Sequence, residues 1–141
     1  MERHSDDFGD LHCFALERLH AADYPKSSHP YAAFRCRVCG SEVWEVVLDH
    51  HTGSEWTDFK GIVLGRCVAC HDLVELLSFT GPHRRSERAE AMVCPCGSTK
   101  FSTAMCERYE GEDGIPGFFD EGVIVGKCAD CLRNVVVALT D

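Results

Sequence analysis

A ten-residue pattern that contains a pair of cysteines occurs twice in this 141-residue chain. GIVLGRCVAC spans residues 61–70, and GVIVGKCADC spans residues 122–131. The stretches that precede these patterns also correspond, because CRVCGSEVW begins at residue 36 and CPCGSTKF begins at residue 94. This duplication predicts two copies of one small fold rather than a single irregular domain.

Cysteine usage predicts what holds each copy together. Eight of the ten cysteines fall in four close pairs: Cys36/Cys39, Cys67/Cys70, Cys94/Cys96 and Cys128/Cys131. Two thiolates on one short turn can reach the same ion. The N-terminal MERHSDDFGD is acidic and polar, unlike a secretion signal, so we expect a cytoplasmic protein in which thiols stay reduced. Metal binding is therefore favoured over disulfide bonds.

The residues between the cysteine pairs predict strands. Both copies have the order cysteine turn, strand, loop, strand, cysteine turn, strand. Aligning Gly40 with Gly97 also matches Trp44 with Phe101, and the apolar positions that follow recur with a period of two. The two glycines suit tight turns that need a positive φ. Each copy therefore predicts a small antiparallel sheet of three strands.

This pattern resembles the zinc-ribbon family over residues 35–78 and 93–140, about two-thirds of the chain. The resemblance implies two tandem three-stranded antiparallel ribbons, each with one Zn²⁺ held by four cysteines. It assigns Cys36, Cys39, Cys67 and Cys70 to one ion, and Cys94, Cys96, Cys128 and Cys131 to the other. The architecture also resembles the small two-ribbon subunit of RNA polymerase II. Two such sites stabilise sheets that are too small to fold alone.

One departure from the family pattern concerns the second copy. Its first turn reads C-P-C, one residue shorter than the usual C-x-x-C, so the geometry at Cys94 is less constrained. Cys106 is an alternative ligand, although it falls on the strand face opposite Phe101. Cys13 lies outside both copies, and we expect it to be a buried, small apolar side chain.

The remaining residues divide the chain into four predicted segments. Residues 1–34 form an N-terminal helix and connector, 35–78 the first ribbon, 79–92 a linker and 93–141 the second ribbon. The helix is predicted over residues 5–23, with Ser5 as its N-cap. Its predicted apolar face consists of Phe8, Leu11, Ala15, Leu19 and Ala22.

Two predicted hairpin loops have distinctive compositions. The first, residues 49–56, contains His50 and His51, which most simply lie exposed to solvent. The second, residues 107–121, is acidic and contains Phe118 and Phe119. Adjacent aromatic residues in an acidic loop suit a contact with another protein.

Charge narrows the class of partner. The formal net charge is −9, and two four-thiolate zinc sites bring it to about −13. This charge argues against direct binding to nucleic acid, although a basic protein or a nucleic-acid machine remains a suitable partner. No segment is apolar enough to span a membrane.

These observations predict a non-catalytic zinc-binding adaptor or a small accessory subunit of a larger assembly. No phosphate-binding loop, nucleophile elbow or HExxH motif is present, so we do not expect an enzyme. Two alternatives stay open at this point. One is a transcription- or translation-associated factor that contacts nucleic acid directly, and the other is a rubredoxin-like iron electron carrier.

Overall fold

The computed structural model describes residues 8–23, 27–50, 61–78, 90–109 and 121–140. Within these ranges one α-helix, α1 (Leu11–Arg18), and a short 3-10 helix (Ala21–Asp23) precede the strands. The strands are β1 (Tyr31–Ala33), β2 (Val43–His50), β3 (Gly61–Cys67), β4 (Leu73–Ser78), β5 (Glu90–Ala91), β6 (Lys100–Arg108), β7 (Glu121–Cys128) and β8 (Asn134–Thr140). The predicted mostly β fold class, with one helix near the N-terminus, is confirmed.

The strands form one antiparallel sheet in the order β4-β3-β2-β6-β7-β8. Strands β2–β4 with their cysteine turns make up the first repeat, and β6–β8 with theirs make up the second. The register shifts at the same place in both, between Val63 and Leu64 of β3 and between Ile124 and Val125 of β7. The sequence duplication is therefore a structural duplication as well.

The two repeats join edge to edge along a seam between β2 and β6. Trp44 lies directly opposite Phe101, its own counterpart in the other repeat, and both side chains are buried. Glu45 lies opposite Lys100, an arrangement that favours this register through opposite charge. Because equivalent residues face each other, the seam has approximate two-fold symmetry.

The strands that precede each repeat cross to the other repeat. β1 pairs with β6, and β5 pairs with β2. The exchange is reciprocal at the level of single hydrogen bonds: Phe34 N donates to Thr103 O at 3.0 Å, and Met92 N donates to Val46 O at 2.8 Å. Each repeat therefore receives a short strand from the segment that leads into the other.

This exchange bears on the predicted segments. β1 comes from the predicted connector and β5 from the predicted linker, and both are part of the sheet. Residues 31–33 of the predicted connector form a strand, because their backbone groups pair with residues 104–106 of β6. The boundaries of the four segments stay a prediction, and residues 79–89 lie outside the described ranges.

Two apolar clusters lie on opposite faces of the sheet. One is centred on the seam and contains Trp44, Phe101, Val63 and Ile124 together with several metal-site cysteines. The other packs α1 against the second repeat, and it contains Phe14, Ala15, Leu19, Ala104, Cys106, Val123 and Val125. The helix therefore covers only one face of the sheet, on the side of β6 and β7.

The helix is shorter than predicted. It begins after Asp10, whose carboxylate accepts a hydrogen bond from His12 N at 3.3 Å, and it ends at Arg18. An anionic side chain at this position satisfies an otherwise unpaired N–H and interacts favourably with the positive end of the helix dipole. Asp10 therefore fixes the start of the helix. The predicted cap, Ser5, lies outside the described residues.

The buried face of the helix also differs in part from the prediction. Ala15 and Leu19 are buried as expected, and Phe14 joins them. Phe8 precedes the helix and is exposed, and Ala22 is also exposed. The expectation that Cys13 is buried is wrong, because a residue two positions before Ala15 points away from the packed face. No helix of the described chain is long and apolar enough to cross a membrane.

Candidate metal centres

The first candidate centre lies where the start of β2 meets the turn after β3. Cys36 and Cys39 lie on the turn before β2, Cys67 is the last residue of β3, and Cys70 closes the following turn. The Sγ atoms of Cys36 and Cys70 are 3.6 Å apart, and those of Cys39 and Cys67 are 3.4 Å apart. All four sulfurs lie within 4.8 Å of one another.

The second candidate centre repeats this arrangement with Cys94, Cys96, Cys128 and Cys131. Its two short Sγ–Sγ distances are 3.5 Å, between Cys94 and Cys131, and 3.6 Å, between Cys96 and Cys128. Four sulfurs at about 2.3 Å from a central ion form a tetrahedron with edges of about 3.8 Å. Both groups therefore fit one metal ion each.

The shorter C-P-C turn reaches the same geometry by a tighter hydrogen bond. In the first repeat Gly40 N donates to Cys36 O at 2.9 Å, a bond that spans four residues. In the second, Gly97 N donates to Cys94 O at 2.7 Å and spans only three. Pro95, with its fixed φ, suits the second position of such a turn. The missing residue is absorbed by the backbone, and Cys94 stays in its group.

Glycine ends both of these first turns. Gly40 has a φ of 84° and Gly97 a φ of 97°, so the predicted positive φ is confirmed at both positions. The second turns end differently, since His71 and Leu132 each adopt a φ of 67° without being glycine. His71 is exposed to solvent.

In each centre two backbone N–H groups converge on one sulfur, that of Cys67 or that of Cys128. Asp130 N and Cys131 N each lie 3.4 Å from the Sγ of Cys128. In the first centre the N–H of Cys70, assisted by that of Ala69, lowers the pKa of Cys67 to about 6. Burial opposes a similar effect at Cys128, but the N–H groups of Cys131 and Asp130 still lower its pKa to about 6. Both turns are thus built to stabilise a thiolate.

The neighbouring thiols show the opposite trend. The N–H of Asp72 lowers the pKa of Cys70, but burial and the surrounding cysteines outweigh this effect and raise the pKa to about 12. The N–H of Cys96 likewise opposes the rise at Cys94, where burial and the other thiols bring the pKa to about 12. Four thiols this close cannot all ionise without a compensating cation, which a divalent metal ion supplies.

Cys106 belongs to neither centre. Its side chain is buried in the cluster beneath α1, on the face opposite Phe101, and lies outside both four-sulfur groups. Burial, followed by the charge of Glu107, raises the pKa of this thiol to about 11. It is therefore a neutral core residue, and its suggested role as a substitute ligand is wrong.

The structure brings together the two sets of cysteines that the sequence groups, while their role as ligands stays a prediction. The described parts of the molecule do not include the side chain of His50 or residue His51. They also exclude residues 110–120 of the acidic loop, which contain Phe118 and Phe119. Among the described residues, no further group of three or more metal-ligating side chains was found.

Comparison of the chain with protein-family models, with curated proteins and with solved structures found no match in any of the three. The class of the protein is therefore defined by its fold and its two centres. It is a small, mostly β protein with two four-cysteine groups, each able to hold a metal ion.

Proposed function

We propose that this protein is a zinc-loaded, non-catalytic adaptor or small accessory subunit that mediates contacts between proteins. The observation that carries the proposal is the composition of the two centres. Each offers four cysteine sulfurs within 4.8 Å, enough to complete the tetrahedral shell of Zn²⁺. Four protein ligands leave no position for a water or a substrate, so the metal serves structure rather than catalysis.

The position of the centres supports this structural role. In each repeat the metal would tie the turn before the first strand to the turn between the second and third strands. It would thus clamp the start of the first strand to the turn that joins the other two strands. Sheets of this size have little core of their own, and metal binding supplies folding free energy directly.

Charge supports protein rather than nucleic acid as the partner. The net charge is −9 before any metal-bound thiolate is counted. Several cations of the described residues are also engaged within the molecule. Arg35 binds Glu42 at 2.7 Å, Lys127 donates to the Gly9 carbonyl at 2.6 Å, and Arg133 lies over the Phe8 ring. A phosphate backbone is normally met by a surface of free lysines and arginines.

Native mass spectrometry with elemental analysis tests the metal assignment. We expect two zinc ions per chain, one fewer in Cys39→Ser, and one fewer in Cys96→Ser. Cys13→Ser is the matched control, because Cys13 is exposed and lies outside both centres, and it should retain both ions. A metal-free chain with intact disulfides would contradict the proposal. Red colour with visible absorption would identify iron and favour the rubredoxin-like alternative.

A tagged purification from the native host, with nuclease treatment, tests the adaptor role. A stoichiometric protein partner that survives nuclease supports it. Recovery of nucleic acid, with loss of the partners on digestion, would overturn it in favour of a factor that binds nucleic acid directly. The two experiments are independent, because a chain with two zinc ions can still fail to hold a protein partner.

A further inference from the structure

Among the residues that the structure describes, the exposed large apolar side chains are concentrated at one edge of the sheet. Six large hydrophobic side chains are exposed among the described residues, and four of them lie at or beside β8. We call these four the β8 patch: Phe8 (50% exposed), Leu132 (56%), Val136 (37%) and Leu139 (38%).

Specific contacts hold the β8 patch together. Val136 pairs with Val125 and Leu139 with Val123, so both project from the face that α1 covers further inward. The guanidinium carbon of Arg133 lies over the Phe8 ring, 5.2 Å from the ring centroid. The Gly9 carbonyl accepts hydrogen bonds from Lys127 Nζ at 2.6 Å and Asn134 Nδ2 at 3.3 Å. The segment before the helix is thereby fixed beside the start of β8.

The first repeat shows that these apolar residues are not required by the fold. At the positions equivalent to Leu132, Val136 and Leu139 it has His71, Glu75 and Ser78. Three polar residues thus correspond to three exposed apolar ones on the same backbone. Leu132 is unusual in a second respect, because a leucine with a φ of 67° is strained as well as exposed. Neither property benefits an isolated monomer.

The backbone of β8 is also available for pairing. Within the described parts of the chain, no strand pairs with the outer edge of β8. Residues 134–140, NVVVALT, contain no charged residue and no proline, the features that normally protect an edge strand. An unprotected, β-branched edge of this kind accepts another strand.

Charge indicates which strand it accepts. A basic partner would gain no electrostatic attraction from this uncharged edge. Two copies of this chain, each with a net charge of −9, would repel one another through most surfaces. The uncharged edge of β8 is a surface at which two such copies can meet without bringing like charges into direct contact. The seam between β2 and β6 already shows two repeats joined edge to edge, with equivalent residues opposite each other.

We propose that β8 pairs antiparallel with β8 of a second copy about a two-fold axis, so that the two β8 patches pack side by side. Antiparallel pairing brings Phe8 and Leu132, at the start of one strand, to Leu139 near the end of the other. The interface is isologous and closes after two copies. This dimer extends the proposed function but does not depend on it.

The repeat itself supplies the test substitutions. V136E and L139S place in the second repeat the residues that the first repeat has at those positions, so the fold tolerates both. We expect the zinc-loaded chain to run at twice its 15.7 kDa mass in sedimentation velocity and light scattering. The double variant should run at 15.7 kDa, with a dimer dissociation constant raised at least about tenfold. V38E is the control, because Val38 is also an exposed valine (68%) but lies outside the β8 patch, and it should remain a dimer.

Two results would overturn the proposal. One is a wild-type chain that stays monomeric up to about 100 μM, well above the concentration at which specific interfaces of this kind form. The other is a dimer that the double variant does not weaken, while its zinc content and circular dichroism match the wild type. The proposal would also be overturned by a monomeric chain that binds a different protein and loses it in the V136E variant. That result would mean that the edge of β8 pairs with a strand of another protein.

Discussion

The two repeats share their backbone but differ in what covers it. Both have the same strand register, the same bulge and glycine with a positive φ at the end of the first cysteine turn. The first repeat has the exposed Glu75 on its edge strand β4, beside an open groove of about 690 Å³ that Arg35, Arg37 and Asp72 also line. The second has α1 on one face and the apolar β8 patch at its edge.

This difference separates the residues that specify the fold from those that serve a partner. The metal-site cysteines and the glycines beneath the seam aromatics, Gly65 and Gly126, are retained in both repeats. Residues that face outward have diverged, with Glu75 at the position of Val136 as the clearest case. Because the fold is held in common, substitutions at equivalent positions should give equal effects wherever only the fold is involved. Unequal effects should appear wherever the surroundings differ.

Removal of a metal should have the largest effect, and it should extend across the seam. Cys67→Ser and Cys128→Ser each remove a buried sulfur from an equivalent position. Since structural zinc contributes roughly 10 kcal/mol or more to folding in small metal domains, each variant should lose one ion and most of the stability of its own repeat. The other repeat should also lose protection, because each receives a strand from its partner.

Hydrogen exchange read by mass spectrometry, together with zinc content, measures this coupling. We expect faster exchange in β6 of Cys67→Ser and in β2 of Cys128→Ser. Cys13→Ser should exchange like the wild type. Loss of protection confined to the substituted repeat would show that the exchanged strands do not couple the two halves.

The seam aromatics should have the next largest effect. Trp44→Ala and Phe101→Ala each empty a buried site at the two-fold seam, and truncations of this kind cost about 3–5 kcal/mol. Trp44→Ala should be the more damaging, because it also removes the hydrogen bond from Trp44 Nε1 to the Phe34 carbonyl at 3.1 Å. Guanidinium unfolding at constant free zinc measures both. Equal losses would mean that this hydrogen bond contributes nothing measurable.

A further comparison concerns the glycines that lie beneath these aromatic rings. A Cβ added at Gly65 would lie 2.9 Å from a Trp44 ring carbon and 3.1 Å from a Leu76 methyl. At Gly126 the nearest atoms, on Phe101 and Val137, would be 3.4 Å away. Gly65→Ala should therefore destabilise by about 1–3 kcal/mol through overpacking, and Gly126→Ala by clearly less. The same unfolding assay decides, and a larger loss for Gly126→Ala would contradict the difference in packing.

A structural feature of this protein is predictable from the sequence when the sequence pattern behind it is long. The three-stranded sheet of each repeat and the grouping of the cysteines follow from a repeat of some forty residues whose strands have apolar residues at a period of two. The matched positions of Trp44 and Phe101 illustrate this. The strand exchange does not, because β1 has three residues and β5 has two, too few to show any period. Their pairing is decided by what lies beside them in three dimensions. The helix start depended on which of several acidic and polar residues acts as the cap, and Asp10 does so here.

The smallest effect should come from the glycines that end the first cysteine turns, and here the two repeats should agree. Gly40 and Gly97 both have a positive φ, and an added Cβ would meet nothing within 4 Å at either position. Alanine therefore introduces no clash and only the cost of the left-handed conformation, about 1 kcal/mol at each site. Asparagine, which tolerates that conformation, should recover part of the loss. If Gly97→Ala proved much more costly than Gly40→Ala under the same zinc-buffered unfolding, the shorter C-P-C turn would be under strain that the first turn does not have.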